Sequence, residues 1–259
     1  MKAQGGFTQS LLDTKTMAIR CLLKSIRSPD TLLLNITIPV MTMLVFVYVL
    51  GGAMNTGDTS YVNYILPGVI LLCIGQCGAA TALSVSMDIE KGIIDRFRSM
   101  PIAKASVLTG HVLETMVRTI VTVMLMIVIA LFVGFKPSAD ITGWLTALGL
   151  LLLFSLTMAW ISVLFGLAVS NPEGAGSFTV FAMLLCYLSS GFVPADTLPN
   201  VLRVFAGNQP MTPIIESVRA LLLGTALDNN LLYAVLWCIG FLVLAYILTM
   251  RMYKKKLAK

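Results

Sequence analysis

The chain has 259 residues, of which 58% are apolar and only 12% charged, and its formal net charge is +6. Soluble domains run at about 45–50% apolar and 25% charged, so this composition excludes an ordinary soluble protein and implies a polytopic α-helical membrane protein. The basic excess sits in short segments flanking apolar runs, without aromatic–basic interleaving. That pattern favours membrane lipid as a partner and argues against nucleic acid.

In chain order, residues 8–28 are predicted as an amphipathic helix lying in the headgroup plane. At 100° per residue, Asp13, Arg20, Lys24 and Arg27 share an arc of about 60°. Leu12, Ala18, Ile19, Leu22, Leu23 and Ile26 fall opposite, while Lys15 projects from the apolar side and must snorkel. This stretch lacks the short basic region and cleavage site of a secretory signal. After Ser28-Pro29-Asp30, a first span is predicted over residues 31–51, with Pro39 as a kink. The second span, 61–87, carries a stripe of small residues (Gly75, Gly78, Ala79, Ala82 and Ser86) suited to close helix packing in lipid.

A charged loop, Asp88 to Gly110, follows. In it Ile93, Ile94 and Phe97 make one apolar face, Asp95, Arg96 and Arg98 surround it, and Gly92 and Pro101 bracket a short helix. The third span is expected at 111–135 and the fourth at 141–169, the latter long enough to tilt. A turn at Asn171-Pro172-Glu173-Gly174 leads into the fifth, 175–193. The next segment holds Asp196, Arg203, Glu216, Arg219 and Asp228, with Pro194, Pro199, Pro210 and Pro213. Two short re-entrant or extracytoplasmic helices, 198–206 and 212–223, fit it better than a span. The sixth span, 231–250, ends on RMYKKKLAK.

With both termini cytoplasmic, 15 of the 18 lysines and arginines fall on the inner side: five before the first span, five from Lys91 to Arg118, and five after the sixth. The opposite orientation inverts the positive-inside rule. Six spans in one transmembrane domain, 1–259, is therefore the expected architecture. No internal repeat of the kind common in secondary transporters is visible.

The chemistry is notable for what is missing. The sequence has no phosphate-binding G-x-x-x-x-G-K-[ST] loop, no H-E-x-x-H and no G-x-S-x-G. No catalytic residue, bound cofactor or metal site is expected, and the chain reads as a non-enzyme. Cys21, Cys73, Cys77, Cys186 and Cys238 read as small hydrophobes without a disulfide, and His111 as a packing or hydrogen-bonding residue. The spans read as free of buried Asp, Glu, Lys and Arg, which counts against an ion pathway. Energy must then enter from elsewhere, and the charged loop is the natural port.

These residues resemble the ABC-2 type membrane permeases, particularly the daunorubicin/doxorubicin-resistance branch. The matching pieces are RSPDTLLLNITIPVMTMLVFVYVLGG, YILPG at Tyr64–Gly68, MDIEKGIIDRFRSMPIAKASVLTG at Met87–Gly110, and QPMTPIIESVRALLLG at Gln209–Gly224. The E-x-G-x-x-x-R-x-R-x-x-P pattern between the second and third spans is the most specific. The resemblance implies a multi-pass subunit of a bacterial plasma membrane exporter. It pairs with a second permease copy, identical or a sister, and uses ATP and Mg held by a separate ABC ATPase subunit. It also implies that Glu90, Gly92, Ile93, Asp95, Arg96, Phe97, Arg98 and Pro101 form the helix that couples to the ATPase. Arg20, Lys24 and Arg27 on the interfacial helix are expected to contact the ATPase, and Pro210, Pro213, Glu216 and Arg219 to act as an outer gate. For Glu216 and Arg219, a plain i, i+3 salt bridge is the competing reading. The implied cargo is a hydrophobic or amphipathic compound such as a drug. Export of lipid-linked polysaccharide, or ion-coupled secondary transport, is the alternative.

Overall fold

A chain this apolar, placed in lipid, must satisfy its backbone hydrogen bonds internally. Among the described residues every regular element is indeed a helix. The computed structural model describes residues 7–27, 29–51, 60–93, 96, 104–169, 171–193 and 199–258. The helices are α1 (Phe7–Ile26), α2 (Pro29–Leu44, continued by a π-helical turn over Val45–Leu50), α3 (Tyr61–Glu90), α4 (Lys104–Val133), α5 (Ile141–Ala168), α6 (Pro172–Tyr187), α7 (Asn200–Asn208), α8 (Met211–Leu223) and α9 (Asn230–Ala258).

Four of them, α3, α4, α5 and α9, contain segments long and apolar enough to cross a membrane, and α2 contributes a shorter apolar stretch, Leu33–Val49. The predicted fifth span behaves differently. Helix α6 stops at Tyr187, and the chain turns through residues 188–193 instead of continuing. Ser189 explains the stop, since its hydroxyl donates to the Cys186 carbonyl at 2.5 Å and accepts from the Gly191 N–H at 3.1 Å. Local side-chain bonds of this kind compete with the helical ladder.

Helix starts follow from capping chemistry. Asp140 Oδ1 accepts from the Gly143 N–H at 2.7 Å, and Asn171 Oδ1 accepts from Gly174 at 2.9 Å with Pro172 at the first helical position. Hydrogen bonds from the Thr142 hydroxyl and the Gly143 N–H hold the Asp140 carboxyl below the usual range. At the other end of α8, Gly224 takes up the left-handed conformation (φ 64°) and closes the helix.

Helix α3 is the axis of the molecule, packing against α2, α4, α5, α6 and α8 and buried on nearly every side. Its small residues set these contacts. A Cβ on Gly78 meets the Ser162 hydroxyl of α5 at 2.5 Å, and one on Gly166 meets the Ala82 carbonyl oxygen at the same distance. Backbones this close exclude larger side chains and gain dispersion along the seam. Helices α6 and α9 both lean on α5 but do not pack closely on each other. The five cysteines are free and buried.

Helix α1 docks through a face that the amphipathic pattern alone does not assign. The helix packs on α4 through Met17, Ala18 and Cys21, all buried. Leu12, Ile19, Leu23 and Ile26, predicted on its apolar face together with Ala18, are exposed. Arg20 and Lys24, on the predicted polar arc, reach inward to a carboxylate on α3. The predicted polar arc is therefore half of the docking face. Ion pairing with a buried partner and burial of Met17, Ala18 and Cys21 together define the docked side.

Candidate functional site

A helix of 30 residues spans ~45 Å, well beyond the ~30 Å hydrocarbon layer, so α3 and α4, each 30 residues long, must project from it. Tyr61 and Tyr64 stand at the start of α3, where aromatic rings belong at an interface. The surplus then emerges at the other end, around Asp88 and Lys104. Here α3 and α4 form two legs, and α1 packs along α4.

Asp88 is the hub of this junction. Its Oδ1 accepts from Lys24 Nζ at 2.7 Å, and its Oδ2 lies 3.3 Å from Arg20 Nη2 and 3.4 Å from His111 Nε2. One carboxylate, 2% exposed, thus joins α1 to both legs. Lys24 also donates to the Ser84 hydroxyl at 3.0 Å, Cys21 Sγ lies 3.8 Å from His111 Nδ1, and Thr14 bonds Ser106 at 3.1 Å. The close approach of α1 to α4 needs Gly110, because a Cβ there falls 2.7 Å from that of Met17.

A second pair lies about two turns deeper. Arg118 Nη1 is 2.8 Å from Glu114 Oε1, off the direction of a hydrogen bond, while Nη2 donates to the Cys77 carbonyl and the Thr81 hydroxyl, both at 2.7 Å. Both side chains are buried. This corrects the expectation of spans free of buried charge. Arg118 reads as a flanking cation by sequence position, yet acceptors on α3 draw it inside. His111, read as a packing or hydrogen-bonding residue, is buried and lies within reach of Asp88 and Cys21. Among the described residues no three His, Cys, Asp or Glu side chains converge as metal ligands.

The coupling set divides. Glu90 ends α3 and is exposed; Gly92 follows in the left-handed region (φ 63°), Ile93 is half-buried, and Arg96 is exposed. Asp95, Phe97, Arg98 and Pro101 lie outside the described residues. On the interfacial helix, Arg20 and Lys24 meet at Asp88, whereas Arg27 is exposed one residue past the end of α1.

Toward the Tyr61 end, Glu216 and Arg219 of the proposed gate set meet, while the two prolines stand at the start of α8. Pro210 precedes α8 and Pro213 lies buried in its first turn. Arg219 pairs with Glu216 Oε2 at 2.7 Å and donates to the Tyr64 carbonyl at 3.1 Å and the Ser190 carbonyl at 2.9 Å. Its guanidinium carbon stands 3.8 Å over the Tyr64 ring. The pair is therefore more than a local helix salt bridge, since Arg219 staples α8 to α3 and to the turn after α6.

Between α6 and α9, over α5, runs an apolar slot of about 260 Å³. Its wall includes Phe154, Phe178, Phe181, Trp237 and Phe241, together with Pro210 and Met211. Sequence reasoning missed this slot, and it missed Asp88, His111, Glu114 and Arg118 as a group. The i, i+4 spacing of Glu114 and Arg118, with Thr115 and Thr122 on the same helix, is the one signal that pointed to the deeper pair.

A helical bundle with exposed apolar flanks and a charged clasp between α1, α3 and α4 defines a polytopic membrane protein. Residues 13–223 match the ABC-2 type transporter family, and the chain belongs to that family as a membrane permease, which carries no ATPase activity of its own. It is 29% identical to the daunorubicin resistance ABC transporter permease protein DrrB1 of Streptomyces coeruleorubidus, over 88% of this chain and 81% of that protein. It is 22% identical to a probable doxorubicin resistance permease, DrrC, of Mycobacterium tuberculosis, over 91% and 84% of the two chains. A putative transport permease of Pyropia yezoensis is 23% identical over 83% of this chain and 76% of its own length.

Proposed function

We propose that this chain is the six-span permease subunit of an exporter that moves drug-like apolar or amphipathic compounds, driven by a separate ATPase docked on residues 90–101. Helices α2 and α6 supply the two spans beyond the four long ones. Both termini lie on the ATPase side, where the basic residues concentrate. The observation that carries the coupling reading is the Asp88 clasp. A push delivered to the segment between the legs cannot move α3 without also moving α4 and α1, because one carboxylate holds all three.

Two findings support the cargo class. The relatives are named for daunorubicin and doxorubicin resistance, and the slot between α6 and α9 presents aromatic rings and no charged side chain. Planar apolar cargo suits such a wall through ring stacking and apolar burial. The Arg219 staple joins the elements at the far end that must separate for release.

The test is affinity purification of the tagged chain from native membranes, with its stoichiometric partners identified by mass. The expected result is a co-purifying ATPase subunit that is lost from the triple variant Glu90→Ala, Arg96→Ala, Arg98→Ala, together with loss of drug resistance at matched expression. Unchanged resistance in that variant would sink the coupling assignment. Retained ATPase binding with anthracycline efflux no higher than in cells lacking the chain would instead sink the cargo assignment.

A further inference from the structure

The coupling argument uses Asp88 as an anchor but leaves Cys21, at the same junction, without a task. Cys21 Sγ lies 3.8 Å from His111 Nδ1, and the other ring nitrogen, Nε2, lies 3.4 Å from Asp88 Oδ2. All three side chains are buried, and they come from α1, α4 and α3. Thiol, imidazole and carboxylate in this order are a nucleophile, its base and the group that orients the base. We propose that Cys21 is an oxidation site, converted to a sulfenic acid by hydrogen peroxide with His111 as its proton acceptor.

Position separates this cysteine from the other four. His111 is the only histidine in the chain, and the cysteine it meets is Cys21. Cys21 also lies on the wall of a cavity of about 200 Å³ between α1, α3 and α4, together with Ser25, Ser84 and Arg118. Arg118 Nε has no hydrogen-bond partner, and that side chain is only 7% exposed. A wall that keeps a buried donor unpaired suits a small molecule with oxygen lone pairs, and peroxide is one. The two serine hydroxyls share the wall with the sulfur and suit the oxygen that the reaction leaves on it.

The step balances within these groups. Cys21 Sγ attacks one peroxide oxygen while its S–H proton passes to His111 Nδ1, so that an S–O bond forms and the O–O bond breaks. The sulfur is oxidised to S–OH, and the peroxide is reduced. The departing hydroxide takes the proton back from Nδ1 and leaves as water. Asp88 is a positioning residue. Its carboxylate keeps the ring proton on Nε2 and so leaves the Nδ1 lone pair to the thiol.

The experiment exposes the full chain in membrane vesicles to hydrogen peroxide and then removes the peroxide with catalase. The chain is next unfolded in dodecyl sulfate with dimedone present, and the adduct on each cysteine is quantified by mass. Chain unfolded before the exposure gives the rate of each cysteine without the fold. Burial alone makes folded Cys21 slower than unfolded Cys21, whereas the proposed site makes it faster by about tenfold or more. Cys73, Cys77, Cys186 and Cys238 should be slowed by the fold. His111→Gln and Asp88→Asn should each lower the folded rate of Cys21 about tenfold or more, while maleimide still fails to label it and so reports that α1 stays docked. A folded rate at or below the unfolded one overturns the proposal, and so does an unchanged rate in either variant. If the variants lift α1 and open Cys21 to maleimide, the comparison of folded with unfolded wild type decides alone.

Discussion

Asp88 holds α1 by short-range electrostatics, and the energetic weight of that hold can be estimated. Removing one member of a fully buried ion pair costs ~3–5 kcal/mol. The side chains of Arg20 and Lys24 are about a third exposed (33% and 39%), so water screens part of the loss. For Asp88→Asn we expect a destabilisation of ~1–3 kcal/mol, with the asparagine still able to accept one hydrogen bond. A double-mutant cycle with Lys24→Met, read by unfolding in detergent, should return a coupling energy of ~0.5–3 kcal/mol. Additive behaviour would mean that the contact carries no energy. Arg219 offers the contrast at the far end. Glu216→Gln removes one oxygen from a partly exposed pair and should cost ~0–1 kcal/mol. Arg219→Gln strips donors from the Tyr64 and Ser190 carbonyls and should cost more, ~1–3 kcal/mol. Equal costs in the same unfolding measurement would return Arg219 to the rank of a local helix pair.

At the scale of elements, α1 is the helix that the Asp88 clasp holds against α3 and α4, and Gly110 marks a close approach in its docking. Gly110→Val puts side-chain carbon into Met17, whose Cβ and carbonyl carbon lie 2.7 and 3.0 Å from the added Cβ. Because the obstacle includes backbone, α1 must lift. Cys21, now buried against His111, should then become reactive to maleimide while Cys73, Cys77, Cys186 and Cys238 stay protected. Unchanged Cys21 labelling would show that α1 docks without this contact.

The same element shows how far the sequence could be read. Helical period locates α1, the long apolar helices and the small-residue stripe of α3, because each is a local pattern. It also groups Arg20 with Lys24. It does not say which side of α1 meets protein, because the deciding partner, Asp88, stands 64 positions from Lys24. Arg118 escaped for a related reason: counted as a flanking cation, it is taken inside by Thr81, 37 positions earlier. Local spacing pairs Glu216 with Arg219, but the carbonyl of Tyr64 lies 155 positions from Arg219. Local periodicity cannot supply such pairings.

In the whole molecule, the division of packing separates a stiff part from a loose one. The α3–α5 seam is locked by backbone contact, whereas α6 and α9 diverge and leave the apolar slot between them. Filling that slot should act on cargo and not on assembly. Ala245→Phe, from a buried position on its wall, should lower anthracycline binding severalfold, measured by fluorescence quenching, and leave ATPase co-purification intact. Overpacking costs ~1–3 kcal/mol, which the unfolding midpoint will report separately. Wild-type binding in a folded variant would remove the slot from the cargo path.

Helix α3 is enclosed by five neighbours and is the least apolar of the four long helices. During biosynthesis that order is inverted. The segment meant for the centre leaves the ribosome before α4, α5, α6 and α8 exist to cover it, and it presents Gln76 and Asp88 to a half-built environment. Its insertion into the bilayer should therefore depend on what is translated after it. Chains truncated before α4 should integrate α3 poorly in a glycosylation-mapping assay, and extension through α5 should restore it. The residue that ties the finished molecule together is thus also a burden on the unfinished one.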